Sequence, residues 1–320
     1  MQPLKTLVMA AGLAGLAGLA QAADMPTIGI TYIVEHPAID AVDKGIVDGL
    51  ADAGYTDGKT IKIVSRSAQG SMATQAQIAS EFAGLDLDVG AAISTPSAQA
   101  LKNSMGDKPV VFAAVTDPVG AGLIHSLAAP GGDMTGTSDQ QLYPPILKLI
   151  KSLVPDAKKL GIVFNPGEAN AVSQVDALKA VAADYGLSIV EAPAAESTMV
   201  ADATRSLVGQ VDAVLLPTDS TVVSVIESVV TVGEKAKLPI FASDTGSVER
   251  GALAALGFNY YDMGRASADM IVKILKGAKP ADIPAIVPNS QDLYLNAKSA
   301  KAMGVTIPED VLSGAKKVIR

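Results

Sequence analysis

The sequence predicts an α/β protein made of two Rossmann-like lobes, each with a parallel sheet, joined by a three-strand hinge. From residue 26 onward, short β-branched runs alternate with amphipathic helical segments, which is the order of parallel sheets covered by helices on both faces. This alternation then starts a second time, and each set is about the size of one domain. One more strand–helix unit follows the second set, so we expect the chain to return to the first lobe.

The first set of elements is predicted from the local periodicity of hydrophobic residues. Ile39, Val42 and Ile46 recur at helical spacing ahead of a stop at Gly54, and β-branched runs bounded by polar turns indicate strands. The predicted strands are 27–32, 60–65, 89–93 and 110–114, and the predicted helices are 37–53, 71–83 and one that follows Pro96.

The second set and the tail are predicted by the same signals. The predicted strands are 160–164, 187–192, 213–216, 239–242, 252–258 and 292–295, and the predicted helices are 145–153, 170–185, 200–207, 222–235, 263–276 and 297–303. We therefore expect a first lobe of residues 23–139 and 259–287 and a second lobe of residues 140–258 and 288–320. Three crossings between lobes permit closure by rigid-body rotation.

The first 22 residues are typical of a secretory signal peptide. Lys5 precedes an uncharged run from Leu7 to Leu19, and Ala20-Gln21-Ala22 is a small-x-small cleavage site. The run is shorter than the roughly 20 apolar residues that span a bilayer. The chain has no cysteine, so it has no residue for a lipid anchor. We expect a freely diffusing protein in the periplasm of a Gram-negative bacterium.

Composition excludes several function classes. The formal net charge is −8 and no Lys/Arg cluster is present, which argues against nucleic-acid partners and favours a soluble monomer. With only His36 and His125 and no cysteine, a His/Cys zinc cluster cannot form. Gly58-Lys59-Thr60 runs from a helix to a strand, opposite to a phosphate-binding loop. No nucleophile–base motif is found, and we expect neither a cofactor nor enzymatic activity.

Small hydroxyls, amides and carboxylates follow five predicted strands. The candidate ligand-binding residues at these strand ends are Thr95 and Ser97, Thr116 and Asp117, Asn165, Thr218 and Asp219, and Asp244. The same residue types cap helix N-termini, so no single position decides between a cap and a ligand contact. Ligands of parallel α/β sheets bind at the carboxyl ends of strands, and five such sites in two lobes predict an interlobe cleft.

The chemistry of these ends suits a zwitterion. Thr95-Pro96-Ser97 opens a helix, where free N–H groups and hydroxyls favour a carboxylate. Asp244 or Asp219 on the opposite lobe can receive an ammonium.

Aromatic residues near the cleft are the candidates for its apolar wall. Tyr32 follows the first strand, and Phe258, Tyr260 and Tyr261 lie near a crossing, where Phe258 fits the hinge core equally well. For the segment Glu35–His36 the pattern leaves open a lid or a solvated loop.

The strand-end segments resemble the ABC transporter substrate-binding family related to tryptophan/tyrosine-type periplasmic binding proteins, with the type I fold. The matching stretches are 95–101, 111–119, 130–139, 164–170, 216–219, 241–244 and 248–252, nearly the whole chain in order. The resemblance implies a small-molecule ligand, an amino acid, delivered to an ABC permease and its ATPase. It also implies that Thr95, Ser97 and Thr116 hold the α-carboxylate and that Asp244 holds the amine.

The ligand expected from the resemblance is amino acid-like, aromatic or branched-chain. Since the chain has no Trp, stacking is left to Tyr or Phe. Two other functions stay open at this point: a ligand-sensing protein that docks on a receptor, and an exported α/β enzyme.

Overall fold

The computed structural model describes residues 25–289 and 291–320. The predicted signal peptide, residues 1–22, lies outside the described residues. Among the helices that are described, none combines the length and the apolar character needed to cross a membrane.

The first lobe is built on five parallel strands. Its elements are β1 (Thr27–Tyr32), α1 (Pro37–Asp52), β2 (Lys62–Ser67), α2 (Met72–Gly84), β3 (Val89–Ile93), α3 (Thr95–Ser104), β4 (Val110–Ala113) and β5 (Met134–Gly136). The sheet order is β2-β1-β3-β4-β5, and each neighbouring pair is parallel.

The second lobe is built on seven strands. The elements up to the next crossing are α4 (Tyr143–Leu153), β6 (Lys159–Phe164), α5 (Ala169–Ala182), β7 (Ser188–Pro193), α6 (Ser197–Leu207), β8 (Ala213–Leu216), α7 (Ser220–Ser224), α8 (Ile226–Ala236), β9 (Ile240–Ala242), α9 (Thr245–Glu249) and β10 (Ala254–Gly257). The chain then forms α10 (Tyr260–Leu275), which packs on the first lobe. It ends in the second lobe with β11 (Asp292–Asn296), α11 (Ala297–Ala302), α12 (Glu309–Ser313) and β12 (Lys317–Ile319). The sheet order is β12-β11-β10-β9-β8-β6-β7, parallel except for β10 against β11.

The chain passes between the two sheets three times. After β10 it enters α10, which lies along α1 of the first lobe so closely that a side chain at Gly264 would meet the Val42 carbonyl. Ile286 then bridges to Thr137 beside the first sheet. The chain finally returns to the second sheet as β11. The predicted fold class is confirmed, and the residue boundaries of the lobes remain a prediction.

Strand composition explains the burial of both sheets. All five residues of β3 are buried, as are all four of β4 and of β8, because helices cover both sheet faces. The apolar residues form two clusters on the faces of the first sheet and one continuous cluster in the second lobe. Each fully buried Val, Ile or Leu contributes about 1.5–3 kcal/mol.

Several predicted elements have boundaries shifted by a few residues, as in β2 (62–67 against 60–65) and α6 (197–207 against 200–207), and the elements that were not predicted are short. β5, α9, α12 and β12 have three to five residues each, too few to show a period. The predicted helix 222–235 is divided into α7 and α8 at Val225, whose φ of −126° and ψ of 31° are not helical. Both short helices α7 and α9 follow directly from strand ends, so they bring their capping residues to the edge where the lobes face each other.

Candidate ligand-binding site

The two lobes face each other across a cavity of about 440 Å³ at the carboxyl ends of their strands. Its polar lining comes from both lobes: Ser94, Thr95, Thr116 and Asp139 from the first, and Asn170, Thr218, Ser220 and Asp244 from the second. Its apolar lining is Val34, Ala38, Ile39, Ala114 and Val223, and Tyr260 also lines it. A lining of this kind suits a small molecule that has both polar groups and an apolar body.

The start of α3 provides a site for an anion. Ser94 and Ala114 follow β3 and β4 with positive φ values of 83° and 54°, conformations that non-glycine residues adopt at a cost and that recur at ligand sites. Ser94 does not cap α3 with its side chain. Thr95, 2% exposed, has a buried hydroxyl without a hydrogen-bond partner in the described part of the chain. A ligand carboxylate here would satisfy this hydroxyl and the helix dipole.

Asn170 in the first turn of α5 faces the cavity from the second lobe. Its Nδ2 donates to the Thr218 carbonyl at 2.6 Å, which fixes the orientation of the amide. Its Oδ1 is buried and has no partner among the described residues. Gln174 also holds Thr218, through its Nε2 to Oγ1 at 2.7 Å and its Oε1 to the backbone N–H at 3.1 Å. Asn170 Oδ1 is therefore a fixed acceptor that lacks a donor.

Asp139 is a buried carboxylate at the first crossing between lobes. Thr116 Oγ1 donates to its Oδ1 and Tyr260 Oη to its Oδ2, both at 2.9 Å. Burial raises the pKa of Asp139, the two hydrogen bonds oppose that shift, and the nearby Asp244 carboxylate adds to it. The pKa of Tyr260 is raised well above its ordinary value by burial and by these carboxylates.

Asp244 joins the lobes through His36. Asp244 caps α9 by accepting from the Ser247 backbone N–H at 2.7 Å and from Ser247 Oγ at 2.6 Å. His36 Nδ1 accepts from the Ala38 N–H, so the neutral ring carries its proton on Nε2. That nitrogen lies 3.4 Å from Ser247 Oγ and 3.9 Å from Asp244 Oδ1. Burial lowers the pKa of His36, and Asp244 opposes this shift.

Direct contacts between the lobes surround the cavity. Thr116 Oγ1 and Thr218 Oγ1 are 3.3 Å apart, and Ser173 Oγ donates to Asp117 Oδ2 at 3.2 Å. With the His36 contact, these hydrogen bonds close the cleft on more than one side. The structure is therefore the closed form of the molecule.

The structure brings four of the predicted site residues to the cavity, namely Thr95, Thr116, Thr218 and Asp244. It places the other five elsewhere, namely Tyr32, Ser97, Asp117, Asn165 and Asp219. The side chain of each of these five contacts other parts of the protein.

Three of the five have hydrogen bonds that occupy their polar groups. Ser97 is fully buried and donates to Gln75 Oε1 at 3.1 Å. Asn165 Oδ1 accepts from the Gly167 N–H, and its Nδ2 donates to Thr221 Oγ1, both at 2.8 Å. Asp219 caps α7 and also accepts from the Asn165 N–H, while burial and Glu168 raise its pKa. These residues shape the strand ends.

The remaining two lie at the margin of the site. Asp117 accepts from the Gly120 N–H and from Ser173, so it contributes to closure at the cleft rim. Tyr32 packs on the first-lobe core cluster that contains Ile28 and Val42. Burial and the neighbouring Asp43 and Glu35 raise its pKa. Of the other aromatic candidates, Tyr260 lines the cavity, Phe258 is in the core, and Tyr261 donates to Asp48.

Sequence reasoning missed Asp139, Asn170 and Ser94. Asp139 ends the matching stretch 130–139 and Asn170 ends the stretch 164–170, but neither directly follows a predicted strand. A signal was present for Asn170, which is a polar residue at the start of a predicted helix. His36, left open between lid and solvated loop, is 3% exposed and lines the cavity.

These observations define the class: a two-lobed solute-binding protein that closes around a small molecule. A family model described as ABC transporter substrate binding protein matches residues 27–319, and the chain belongs to this family. It is thus an extracytoplasmic substrate-binding component of an ABC transporter, from a family of binding proteins and not of enzymes.

Known proteins support the same conclusion. The chain is 42% identical over 276 residues to the tyrosine-binding protein of Clostridioides difficile (strain R20291), covering 86% of this chain and 80% of that one. It is 38% identical to an ABC domain in complex with L-Trp from Streptococcus pneumoniae, with a TM-score of 0.89 and coverage of 92% and 99%. A 5-methylthioribose-binding protein from Thermotoga lettingae shares the fold at 13% identity, with a TM-score of 0.62 and coverage of 90% and 97%.

The comparison also identifies the conformation. The ligand-free, open structure of a substrate-binding protein with adhesive properties from Clostridium difficile is 40% identical, with coverage of 92% and 99%, yet its TM-score is only 0.69. Sequence identity is nearly equal for this open structure and the L-Trp complex. The arrangement of the lobes therefore accounts for the difference, in agreement with the closed interlobe contacts.

Proposed function

We propose that this chain captures an aromatic L-amino acid of the tyrosine or tryptophan type between its lobes. The observation that carries the proposal is a pair of buried polar atoms, Thr95 Oγ1 and Asn170 Oδ1, on residues that line one cavity from opposite lobes. Neither atom has a hydrogen-bond partner among the described residues. Leaving a buried polar group unpaired costs about 1–3 kcal/mol, and a bound ligand would remove that cost. The similarity to a tyrosine-binding protein and to an L-Trp complex supports the aromatic class.

The distribution of groups in the cavity supports a zwitterion with a large side chain. The start of α3 with Thr95 offers donors to a carboxylate, and Asp139 and Asp244 supply negative charge for an ammonium. Val34, Ile39 and Val223 provide the apolar surface for a ring.

Isothermal calorimetry and thermal unfolding of the purified chain test this proposal. The probes are L-tyrosine, L-tryptophan, L-phenylalanine and L-leucine, with D-tyrosine and L-tyrosine methyl ester as matched controls that alter the stereocentre or remove the carboxylate charge. At a hundredfold excess over Kd, a ligand should add about 2.7 kcal/mol to the free energy of unfolding. Binding of L-leucine alone, or of none of the amino acids, contradicts the proposed ligand class.

We further propose that the chain works as a free monomer in the periplasm of a Gram-negative bacterium and delivers its ligand to an ABC permease with its ATPase. The sequence contains no cysteine that could carry a lipid anchor. Release of the protein by osmotic shock, and loss of amino-acid uptake when its gene is deleted, are the expected results. Uptake that is unchanged, with altered signalling instead, would favour a receptor-docking sensor.

A further inference from the structure

The cavity contains two buried carboxylates in unequal surroundings. Asp244 accepts two hydrogen bonds from Ser247 and has the His36 ring 3.9 Å away. Asp139 accepts only from the neutral hydroxyls of Thr116 and Tyr260. Within residues 25–289 and 291–320, no Lys, Arg or His forms a salt bridge with Asp139. The two groups therefore differ in their donors, because Asp244 is capped by a backbone N–H and a hydroxyl whereas Asp139 is held by two side-chain hydroxyls.

A carboxylate in this position is costly when the cavity is empty. Asp139 is 2% exposed, and an ionised group out of water needs a cation or several donors to offset its lost hydration. Two hydroxyl donors offset part of this cost, and the neighbouring Asp244 adds repulsion. One positive charge beside Asp139 would relieve both the lost hydration and the repulsion.

We propose that Asp139 binds the ammonium group of the ligand and thereby selects amino acids over their desamino analogues, an assignment that rests on the proposed function. Asp244, the residue expected from the sequence, then serves mainly to cap α9 and to contact His36 across the cleft. Both oxygens of Asp139 are oriented by residues that also line the cavity, so the carboxylate is held in one position.

The position of Asp139 links ammonium binding to closure. It follows β5 at the first crossing between lobes, and Tyr260 begins α10 just after the second. Its other donor, Thr116, touches Thr218 of the second lobe. A cation bound to Asp139 therefore acts on a hydrogen-bonded chain that includes two hinge segments and the opposite lobe.

Two isosteric variants and two ligands test the assignment. Calorimetry compares wild type, Asp139→Asn and Asp244→Asn, each with L-tyrosine and with 3-(4-hydroxyphenyl)propionate, which lacks the amine. We expect Asp139→Asn to weaken L-tyrosine binding by about 30-fold or more, the loss expected when a buried charge pair is broken. Binding of the desamino compound should change by less than about threefold, and Asp244→Asn should weaken both ligands by similar factors.

The outcomes separate this proposal from the proposed function. If wild type binds L-tyrosine and Asp139→Asn weakens both ligands equally, or if only Asp244→Asn loses the amine preference, Asp139 is not the ammonium partner. If wild type binds no aromatic amino acid, the proposed function fails and this role fails with it. Asp139→Glu keeps the charge, so it should retain amine selectivity even at reduced affinity. Thermal unfolding without ligand confirms that each variant is folded.

Discussion

Thr116 of the first lobe and Thr218 of the second bring their hydroxyl oxygens to within 3.3 Å of each other. Each hydroxyl also has a second hydrogen-bond partner, because Thr116 donates to Asp139 and Thr218 accepts from Gln174. The contact thus connects a hinge carboxylate to the helix that carries Asn170. Groups from both lobes take part in one network only when the cleft is closed, so we expect ligand binding and closure to be coupled.

Closure can be trapped at the cleft rim. Asp117 Oδ2 and Ser173 Oγ are 3.2 Å apart in the closed form, and the chain has no cysteine to interfere. A double variant with Asp117→Cys and Ser173→Cys should form a disulfide more rapidly with L-tyrosine present, because ligand favours the closed form. Non-reducing gels measure the rate, and the oxidised protein should release ligand more slowly. Equal rates with and without ligand would contradict ligand-driven closure.

The hydroxyl of Thr95 should matter for binding and not for folding. Thr95→Val keeps the shape of the side chain and removes a hydroxyl that has no protein partner in the described residues, so stability should change little. Loss of a hydrogen bond to the ligand carboxylate should weaken affinity by about 1.5–3 kcal/mol. Calorimetry measures the affinity, and thermal unfolding measures the stability.

Thr135→Val is the matched control for Thr95→Val. Thr135 is also fully buried, but its Oγ1 donates to the Ile283 carbonyl at 2.7 Å, away from the cavity. This variant should lose about 1–3 kcal/mol of stability and keep its affinity. A Thr95→Val variant that is destabilised to the same extent, with unchanged affinity, would show that the Thr95 hydroxyl is structural.

Ligand affinity should fall on acidification. Only the ionised carboxylate of Asp139 pairs with an ammonium, and its pKa is raised in the ligand-free protein by burial. Affinity is therefore fully present above this raised pKa and is lost as pH falls through it, at higher pH than for an ordinary Asp of pKa about 3.9. Calorimetry across the acidic range measures the effect.

Asp139→Asn is the control for this pH profile, because other titratable groups lie near Asp139. Asp244, Tyr143 and Tyr260 face it, and His36 lies beyond Asp244. The tyrosines stay neutral throughout because burial raises their pKa values. Asp139→Asn should retain only the weaker dependence that comes from His36. An identical profile for wild type and Asp139→Asn would exclude Asp139 as its source.

The contact between α1 and α10 should be intolerant of a methyl group. A Cβ added at Gly264 would meet the backbone carbonyl of Val42, and backbone atoms cannot move aside as a flexible side chain does. Gly264→Ala should lower the free energy of unfolding by about 1–3 kcal/mol. Gly84, at the end of α2, has open space at its Cβ position and is the control. Gly84→Ala should stay within about 0.5 kcal/mol in denaturant unfolding, and an equal loss for both would contradict this packing argument.

The sequence predicted most of the fold because its signals are local. Strands 27–32, 89–93 and 213–216 coincide with β1, β3 and β8, since a continuous apolar run marks a strand buried on both faces. The three-residue strand β5 and the five-residue helix α9 were not predicted, because so few residues show no periodicity. Helix α7 was predicted only as part of the longer helix 222–235.

The strand ends also predicted the cavity between the lobes, but not which of their side chains line it. Thr218 and Asp219 are consecutive and both polar, yet Thr218 lines the cavity and Asp219 caps α7. Helix caps and ligand contacts use the same oxygen chemistry, so composition cannot separate them. The direction of each side chain follows from how α7 leaves the sheet, which depends on packing against residues distant in sequence.

The sequence by itself determined a two-lobed α/β protein with polar strand ends on both lobes, because hydrophobic period and turn residues are encoded over short windows. Only the tertiary structure decided that Asp139 and Tyr260, 121 residues apart, share a hydrogen bond in the cavity. It also decided that, within the described residues, Thr95 Oγ1 and Asn170 Oδ1 have no hydrogen-bond partner there. Burial and pairing are properties of the folded chain, because they depend on which distant segments exclude water from a given atom.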